Sequence, residues 1–134
     1  MTFPESHADL LKTDVASLAT IGPDGFPQVT AIWFLLDDDG VVKVSLNGAR
    51  QKTKNLLARP EVTLFILDRS NPMRYLEVRA RAEAQPDPDY VFADKVGKKY
   101  GGVNLRNMDK AGESRVVVSL HPVKVNAVDL SRRG

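Results

Sequence analysis

The sequence contains no cysteine, and none of its apolar runs approaches the roughly 20 residues that a membrane span needs. Without cysteine, the chain can form no disulfide, thiol nucleophile, thiolate metal site or iron–sulfur cluster. Its two histidines, His7 and His121, have no partner at a metal-binding spacing, so we expect structural roles for both. The acidic run "DDDG" at residues 37–40 lacks the alternate spacing and closing glutamate of a calcium loop and predicts a hairpin turn. We therefore expect no metal site.

The size and charge of the chain are unexceptional. Its 134 residues predict a single domain spanning residues 1–134. The formal net charge is only +2, with acidic and basic side chains interspersed, so bulk electrostatics does not demand a nucleic-acid partner. The opening residues "MTFPESHADLLK" lack a basic leader and an apolar targeting segment. We expect a cytoplasmic protein with no membrane and no nucleic-acid partner.

Strand-like segments separated by turns dominate the pattern. After a short helix with Ser6 as its N-cap, the segments "VASLATIG", "FPQVTAIWFLLD" and "VVKVSLN" are joined by glycine-containing turns and predict an antiparallel meander. Residues 74–84 alternate apolar and charged side chains, which indicates a strand with one buried face. Asp87 opens a second helix, and "RVVVSLHPVKVNAVDL" predicts two strands with a break or bulge near Pro122. The sequence therefore predicts a mainly β fold, a six- to seven-stranded antiparallel barrel with short helices.

An unusual cluster of cations lies at the start of one predicted helix. The segment "SLNGARQKTKNLLARPEV", residues 45–62, predicts a strand end, a turn and a helix that ends before Pro60. The first turns of this helix hold Arg50, Lys52 and Lys54, where the unpaired amides and the helix dipole are already positive. Each such cation costs about 0.3–1 kcal/mol unless an anion lies nearby. A phosphate or carboxylate ligand is one explanation, and a solvated basic face is the other.

The only tryptophan lies in a long strand predicted over residues 26–36. Alternation places Val29, Ala31 and Trp33 on one side of that strand, so the indole has small neighbours. This arrangement leaves room for a flat ligand beside Ala31, and ordinary core packing is the alternative. The next strand ends at Asn47, directly before the cationic helix. One ligand can therefore present a ring to the strands and an anion to the helix.

These segments together resemble a known family. The stretch "GFPQVTAIWFLLDDDGVVKVSLNGARQKTKNLLARPEVTLFILD" is similar to the pyridoxamine-phosphate-oxidase-like flavin and deazaflavin proteins. The G-x-P at residues 25–27, the long strand after it and the R-x-K-x-[KR]-N-L pattern at residues 50–56 resemble the branch that uses the deazaflavin coenzyme F420. The resemblance runs from Leu10 to the final strand. It implies an FMN-binding split-barrel type of fold and a homodimer with the cofactor groove at the subunit interface.

The resemblance also implies which residues hold the cofactor. One group flanks the flavin or deazaflavin ring, and these residues are Val29, Thr30, Ala31, Ile32, Trp33, Ser45, Leu46 and Asn47. The second group binds the phosphate at the helix start and consists of Arg50, Gln51, Lys52, Thr53 and Lys54. The pyridoxamine-phosphate oxidases proper carry an arginine near position 30 and an Arg-Lys pair at positions 50–51. This chain has Thr30 and Gln51 there, which disfavours that reaction.

The expected cofactor is coenzyme F420, with FMN as the alternative. F420 carries a phosphodiester and a polyglutamate tail, and four further cations can pair with these groups: Lys98, Lys99, Arg106 and Lys110. The resemblance implies an F420H2-dependent reductase that transfers a hydride between the deazaflavin and a small organic acceptor. The alternatives are an FMN-binding oxidoreductase of the same fold and a non-catalytic protein that binds the cofactor or haem. A nucleic-acid-binding barrel is a further class, which the small number of aromatic residues disfavours.

No catalytic residue is predicted. Hydride transfer from a cofactor needs binding, orientation and exclusion of water more than it needs reactive side chains. Solvent can protonate the acceptor, or one of three hydroxyl groups can do so if it lines the pocket. The candidates are Ser45, Tyr75 and Tyr100.

Overall fold

The fold is a curled antiparallel sheet with short helices attached. The computed structural model describes residues 3–132 of the chain. The strands are β1 (Ala16–Ile21), β2 (Pro27–Ile32), β3 (Leu35–Leu36), β4 (Val42–Asn47), β5 (Glu61–Leu67), β6 (Arg74–Pro86) and β7 (Arg115–Asp129). The α-helices are α1 (Gln51–Ala58) and α2 (Val91–Lys99), and 3-10 helices cover Glu5–Lys12, Leu105–Met108 and Leu130–Arg132.

The two edges of the sheet come from neighbouring parts of the chain. The spatial order of the strands is β2-β1-β5-β6-β7-β4-β3, and every pair is antiparallel. Only Trp33 and Phe34 separate the edge strands β2 and β3 along the sequence. The sheet therefore curls until its edges meet at this short segment, as a split barrel. The predicted mainly β, six- to seven-stranded antiparallel split barrel is confirmed.

Alternating apolar side chains fill the inside of the sheet. On β6, Leu76, Val78 and Ala80 are buried, while Arg79 and Arg81 face solvent, as the alternation predicts. Burying a large aliphatic side chain is worth about 1.5–3 kcal/mol, so this shared core is the main source of stability. A second, smaller apolar cluster attaches α2 to the sheet. Its members are Phe92, Ala93, Val96 and Leu105, with Trp33, Leu35, Tyr90, Tyr100 and Val117 packed around them.

The strand predicted over residues 26–36 is interrupted, and that prediction is wrong in this respect. At the interruption, Phe34 is fully buried and its backbone bonds to side chains instead of a strand. Its amide donates to the Tyr100 hydroxyl over 3.0 Å, and its carbonyl accepts from that hydroxyl at 3.1 Å and from Lys99 Nζ at 2.7 Å. The end of α2 thus replaces a strand partner, which apolar alternation alone could not predict.

β7 is one continuous strand with a bulge beside Pro122, so the predicted bulge is confirmed and the predicted division into two strands is wrong. β7 pairs with β6 along its length and shifts register once. Ala80 pairs with Pro122 and Arg79 pairs with Lys124, which makes Val123 the extra residue of a bulge. The bulge tolerates a proline that has no amide to donate, so the strand continues through it.

The first helix is a 3-10 helix that follows Pro4, so the prediction of Ser6 as its N-cap is wrong. The Pro4 carbonyl accepts a hydrogen bond from the His7 amide over 3.1 Å. The Ser6 hydroxyl instead lies 2.9 Å from His7 Nδ1, and His7 Nε2 lies 3.0 Å from the Val128 carbonyl. His7 is buried in this arrangement and has the structural role that was expected of it.

α2 starts close to Asp87, as predicted, although the N-cap position itself is Tyr90. The helix begins at Val91, a few residues after the aspartate. The buried Asp87 carboxylate accepts hydrogen bonds from the amides of Phe92 and Ala93 over 3.3 and 2.9 Å. It therefore satisfies two amides that the first turn leaves without partners.

Residues 37–40 form the turn between β3 and β4, as predicted. The Asp37 carboxylate accepts hydrogen bonds from Lys95 Nζ at 2.6 Å and Lys43 Nζ at 2.9 Å. The hydrogen bond from Lys95 has the larger effect and that from Lys43 a smaller one, and together they hold the pKa of Asp37 well below its usual range.

Within residues 3–132, every helix is too short or too polar to span a bilayer. The same residues contain no group of three histidine or carboxylate side chains placed to hold a metal ion.

Candidate functional site

A cavity of about 340 Å³ opens between the sheet and the chain that follows β6. This volume lies within the range of small-molecule sites. Side chains from β2, β4, the start of α1, the start of β7, α2 and the segment Leu105–Met108 all reach it. The lining residues are Val15, Ala31, Ile32, Trp33, Val44, Ser45, Leu46, Asn47, Arg50, Lys52, Val96, Leu105, Met108 and Arg115.

The cavity brings together eight of the thirteen residues that the sequence assigns to the cofactor. These eight are Ala31, Ile32, Trp33, Ser45, Leu46, Asn47, Arg50 and Lys52. The five outside the lining are Val29, Thr30, Gln51, Thr53 and Lys54. Both halves of the predicted arrangement, the strands and the cationic helix start, therefore border one space.

Lys52 is a half-buried cation without a carboxylate partner. Its ammonium donates a hydrogen bond to Thr30 Oγ1 over 3.0 Å, and no carboxylate among residues 3–132 pairs with it. Burial lowers the pKa of Lys52, and the positive charge of Arg50 lowers it further. Arg50 is the N-cap residue of α1, whose first turn holds no acidic residue. Arg50 and Lys52 thus line the cavity at the positive end of the α1 dipole, and the first turn has no acidic residue to balance them.

Three polar residues of α1 hold the helix in place instead of facing the cavity. The buried Thr53 hydroxyl donates to the Asn47 carbonyl over 2.8 Å. Gln51 donates to the Asn55 side chain over 2.8 Å, and Asn55 in turn donates to Thr20 Oγ1 over 3.1 Å. These bonds fix the cationic turn against β1 and β4. The structure therefore gives Gln51 and Thr53 supporting positions behind Arg50 and Lys52.

Trp33 lines one wall of the cavity, and Tyr100, which lies outside the lining, stacks against its ring. The rings of Trp33 and Tyr100 are stacked with centroids 4.3 Å apart and planes 6° from parallel. The Tyr100 hydroxyl is bonded to the Phe34 backbone, so the stack is fixed to the interruption between β2 and β3. Burial raises the pKa of the Tyr100 hydroxyl. The indole is thereby held flat and rigid where a planar ligand can pack against it.

A buried ion pair forms the polar wall. Arg115 Nε and Nη2 donate to the two carboxylate oxygens of Asp109 over 2.9 and 3.0 Å, and these side chains are 6% and 4% exposed. Asp109 also accepts from the Tyr90 hydroxyl at 2.7 Å and from Asn47 Nδ2 at 2.9 Å. Arg115 Nη1 donates to the Ser45 hydroxyl oxygen over 3.2 Å. The pair therefore joins β4, β7 and the segment that precedes β7.

Opposing effects set the pKa of Asp109. Burial alone would raise the pKa of this carboxyl. Hydrogen bonds from Arg115, Tyr90 and Asn47 outweigh burial and hold the pKa below its ordinary value. The carboxylate consequently stays ionised and keeps Arg115 neutralised, which leaves the net positive charge of the site to Arg50 and Lys52.

Sequence reasoning missed six lining residues. They are Val15, Val44, Val96, Leu105, Met108 and Arg115. The available signals were weak: Leu105 and Met108 are isolated apolar residues in a polar loop, and Arg115 is a charged residue directly before an apolar strand. None of these signals indicates which surface the residue faces until the strand order is known.

Several other candidate residues lie elsewhere. Arg106 is exposed but pairs with Asp94 over 2.8 Å, and Lys99 is bonded to Phe34, so Lys98 and Lys110 are the exposed members of the predicted second basic surface without an ion pair among residues 3–132. Tyr75 packs against Phe65 with ring centroids 5.1 Å apart and does not line the cavity. Among the predicted proton donors, the cavity lining includes Ser45 alone within the described chain.

The comparison with protein families decides the relationship. The family model described as pyridoxamine 5'-phosphate oxidase matches residues 3–129. The chain belongs to this family. No curated protein matches the chain significantly.

Three solved structures of similar proteins differ in how closely they resemble this chain. An F420 reductase is 38% identical, with a TM-score of 0.81 over 92% of this chain and 98% of that one. A conserved hypothetical protein from Mycobacterium tuberculosis is 26% identical, with a TM-score of 0.77 over 96% of this chain and 86% of the other. The haem storage protein HutZ from Vibrio cholerae is 16% identical, with a TM-score of 0.72 over 98% of this chain and all of that one. This last likeness shows the fold alone.

We expect the Asp109→Asn variant to lose about 3–5 kcal/mol of stability at pH 7, because it leaves the buried Arg115 without a carboxylate. The folded-state pKa of Asp109 is lowered, so its stabilisation is complete above the ordinary carboxyl range near pH 4 and is lost as the pH falls further. The difference between the two proteins should therefore narrow below about pH 4. Urea denaturation between pH 7 and pH 2 measures this difference.

The exposed Asp89 provides the matched control for this prediction, since Asp89→Asn makes the same chemical change on the surface. That variant should stay within about 0.5 kcal/mol of the wild-type protein. Equal stability of Asp109→Asn and wild-type protein at pH 7 would contradict the structural importance of the ion pair.

Proposed function

We propose that this protein is an F420H2-dependent reductase that transfers a hydride between the deazaflavin and a small organic acceptor. The observation that carries the proposal is the half-buried Lys52, which lines the cavity beside Arg50 with no carboxylate from the described chain to neutralise it. An anionic cofactor would provide that charge and use the free amides of α1 as well. The 38% identity to an F420 reductase supports F420 as the cofactor.

The residues of the cavity fit a ligand with a flat apolar part and an anionic part. Trp33, Ile32 and Leu46 provide apolar surface, and the cations lie at the start of α1. Small-molecule sites commonly combine a mainly apolar lining with a few polar groups that fix the orientation of the ligand. Ser45 on β4 and Arg115 on β7 are two such polar groups in the lining.

The chain's own contribution is binding and orientation. When bound, the deazaflavin supplies a hydride from its ring. Arg50 and Lys52 would hold the anionic group, and the rigid Trp33 ring would set the plane of the ligand. Val96, Leu105 and Met108 would exclude water from one side. The acceptor would then bind at the side of the cavity that remains open.

FMN is the alternative cofactor, and charge outside the cavity favours F420. Arg50 and Lys52 suffice for the single phosphate of FMN. The exposed Lys54, Lys98 and Lys110 add positive charge on the elements that border the cavity, which suits a longer anionic tail. Haem is less suited to this cavity because neither histidine lines it. His121 is exposed and lies 3.0 Å from Glu83 on the outside of the sheet.

We further propose that the protein is a homodimer whose interface completes the cofactor groove. β2 is an edge strand of the sheet, and its outer face is apolar and exposed. Val29 is 64% exposed, Phe26 in the preceding turn is 73% exposed, and Ala31 on the same face as Val29 lines the cavity. Exposed apolar surface on a sheet edge commonly marks an interaction site. A second copy covering Val29 would border the cavity.

The function is tested by titrating the protein with F420 and, separately, with FMN while the fluorescence of Trp33, the only tryptophan, is recorded. We expect saturable binding of F420 and weaker binding of FMN. Turnover is then assayed with reduced F420 and three acceptors: a quinone, biliverdin and a nitro compound. Binding without turnover of any acceptor would favour a non-catalytic binding protein, and preference for FMN would favour the flavin alternative. Binding of neither cofactor would reject the proposal.

Removing the two cavity cations together, as Arg50→Ala with Lys52→Ala, should weaken F420 binding at least tenfold. Each charge-assisted contact is worth about 1.5–3 kcal/mol, while both side chains are dispensable for the core. The same titration measures the change, and circular dichroism verifies the fold. Lys124→Ala removes an exposed cation far along β7 and should leave the affinity unchanged. Unaltered affinity in the double variant would assign Arg50 and Lys52 to a solvated basic face.

The Val29→Lys variant should convert the proposed dimer to a monomer, because it places a charge in the centre of the apolar face of β2. Light scattering after size-exclusion chromatography measures the mass of both proteins. Val91→Lys is the control, since Val91 is 68% exposed at the start of α2, away from β2. A monomeric wild-type protein, or a Val29→Lys variant that remains dimeric, would reject this interface.

A further inference from the structure

The hydroxyl group of Ser45 has an unused hydrogen at the surface of the cavity. Ser45 lies on β4 and lines the cavity. Its oxygen accepts a hydrogen bond from Arg115 Nη1 over 3.2 Å. Within residues 3–132, no acceptor takes the hydroxyl hydrogen in return. Because arginine has no acceptor atom, Ser45 can only receive from it, and its own hydrogen is available to another partner.

Arg115 holds this oxygen from a fixed position. The strands β4 and β7 pair Asn47 with Arg115 and Ser45 with Val117, so Arg115 reaches diagonally across the ladder to the serine. Its guanidinium is bonded to both carboxylate oxygens of Asp109 and is only 6% exposed. A planar guanidinium held at two points by a buried carboxylate has little freedom to turn. Its Nη1 is therefore held facing Ser45, where it lies 3.2 Å from the hydroxyl oxygen and 3.4 Å from the carbonyl oxygen.

We propose that Arg115 is a positioning residue that orients the Ser45 hydroxyl to donate a hydrogen bond to an acceptor atom on the ring of the bound ligand. The acceptor is a carbonyl oxygen or an unprotonated ring nitrogen, since these are the groups that a hydroxyl donor recognises. The inference rests on the proposed function, because it requires a ring-bearing ligand in the cavity.

The hydrogen bond from Arg115 strengthens the Ser45 hydroxyl as a donor. A hydroxyl that accepts a bond from a guanidinium becomes a better donor, because bonds in a chain polarise one another. The effect is larger in a buried setting than in water. Such a donor would bind a ring that has high electron density at its acceptor atom more tightly than a ring that has low electron density there. Ser45 and Arg115 would thus influence both the affinity and the reduction potential of a bound cofactor.

A purely structural role for Arg115 makes different predictions. In that case the arginine would only attach the segment around Asp109 to the sheet, and removing the Ser45 hydroxyl would leave cofactor affinity unchanged. If Arg115 acts through Ser45, the two substitutions must be coupled, because the second has nothing left to act on once the hydroxyl is gone. A double-mutant cycle therefore separates the two roles.

The experiment measures the affinity and midpoint potential of F420, and in a second series of FMN, for Ser45→Ala, Arg115→Lys and the double variant. We expect each single variant to bind about three- to tenfold more weakly, as for one lost hydrogen bond. The double variant should bind the cofactor no more weakly than whichever single variant binds it more weakly. The potential should shift in Ser45→Ala. Ser45→Thr, which keeps the hydroxyl, should bind within about twofold of the wild-type protein.

Ser119→Ala is the matched control, because Ser119 lies on β7 outside the cavity lining. It should change neither affinity nor potential. Unchanged affinity and potential in Ser45→Ala, or effects of the two substitutions that multiply, would overturn the proposal. Should Arg115→Lys fail to fold, the contrast between Ser45→Ala and Ser45→Thr still decides whether the hydroxyl donates to the ligand. Wild-type protein that binds neither cofactor would reject the proposed function itself, an outcome distinct from these.

Discussion

Keeping Lys52 charged while half of its side chain is removed from water costs free energy, and the rest of the site is organised around that cost. Its one hydrogen-bond partner, Thr30 Oγ1, is neutral, and the nearest charge acting on it is the cation of Arg50. Structural lysines at such positions normally acquire a carboxylate. The folded protein therefore carries unbalanced positive charge at an inner surface. A bound anion relieves this imbalance directly, and binding then becomes more favourable than the contacts alone suggest.

The split in the barrel determines where that charge can be used. Because β2 and β3 are consecutive along the chain, the curled sheet leaves its gap at Trp33 and Phe34, and α2 fills part of it. Lys99 and Tyr100 form hydrogen bonds with the backbone of Phe34, so the amide and the carbonyl at the gap both have partners. The same hydrogen bonds hold Tyr100 parallel to the indole of Trp33. The barrel thus provides a rigid aromatic wall beside the cationic helix start.

Much of this organisation could be predicted from local patterns, and the remainder depends on pairings that local patterns do not contain. Alternation on β6, the turn at residues 37–40 and the start of α2 close to Asp87 each follow from neighbouring residues. The strand interruption at Phe34 depends on Tyr100, which is distant in sequence, and the continuity of β7 past Pro122 depends on a bulge opposite β6. The cationic half of the site could be recognised because a helix start makes its charges conspicuous. The Arg115 half required the register of β4 against β7.

The two ends of residues 87–114 leave and rejoin the same place in the sheet. Pro86 pairs with Val116, and the Asp87 amide donates to the Arg115 carbonyl over 3.0 Å, so this whole excursion begins and ends on one ladder. A change in the length of this excursion should therefore affect the stability of the barrel little, since lengthening a loop whose ends are already held together adds only a small entropic cost. A longer or shorter excursion would change the side of the cavity that Val96, Leu105 and Met108 line and would leave the paired strands as they are. This part of the cavity wall can therefore vary separately from the sheet that carries the rest of it.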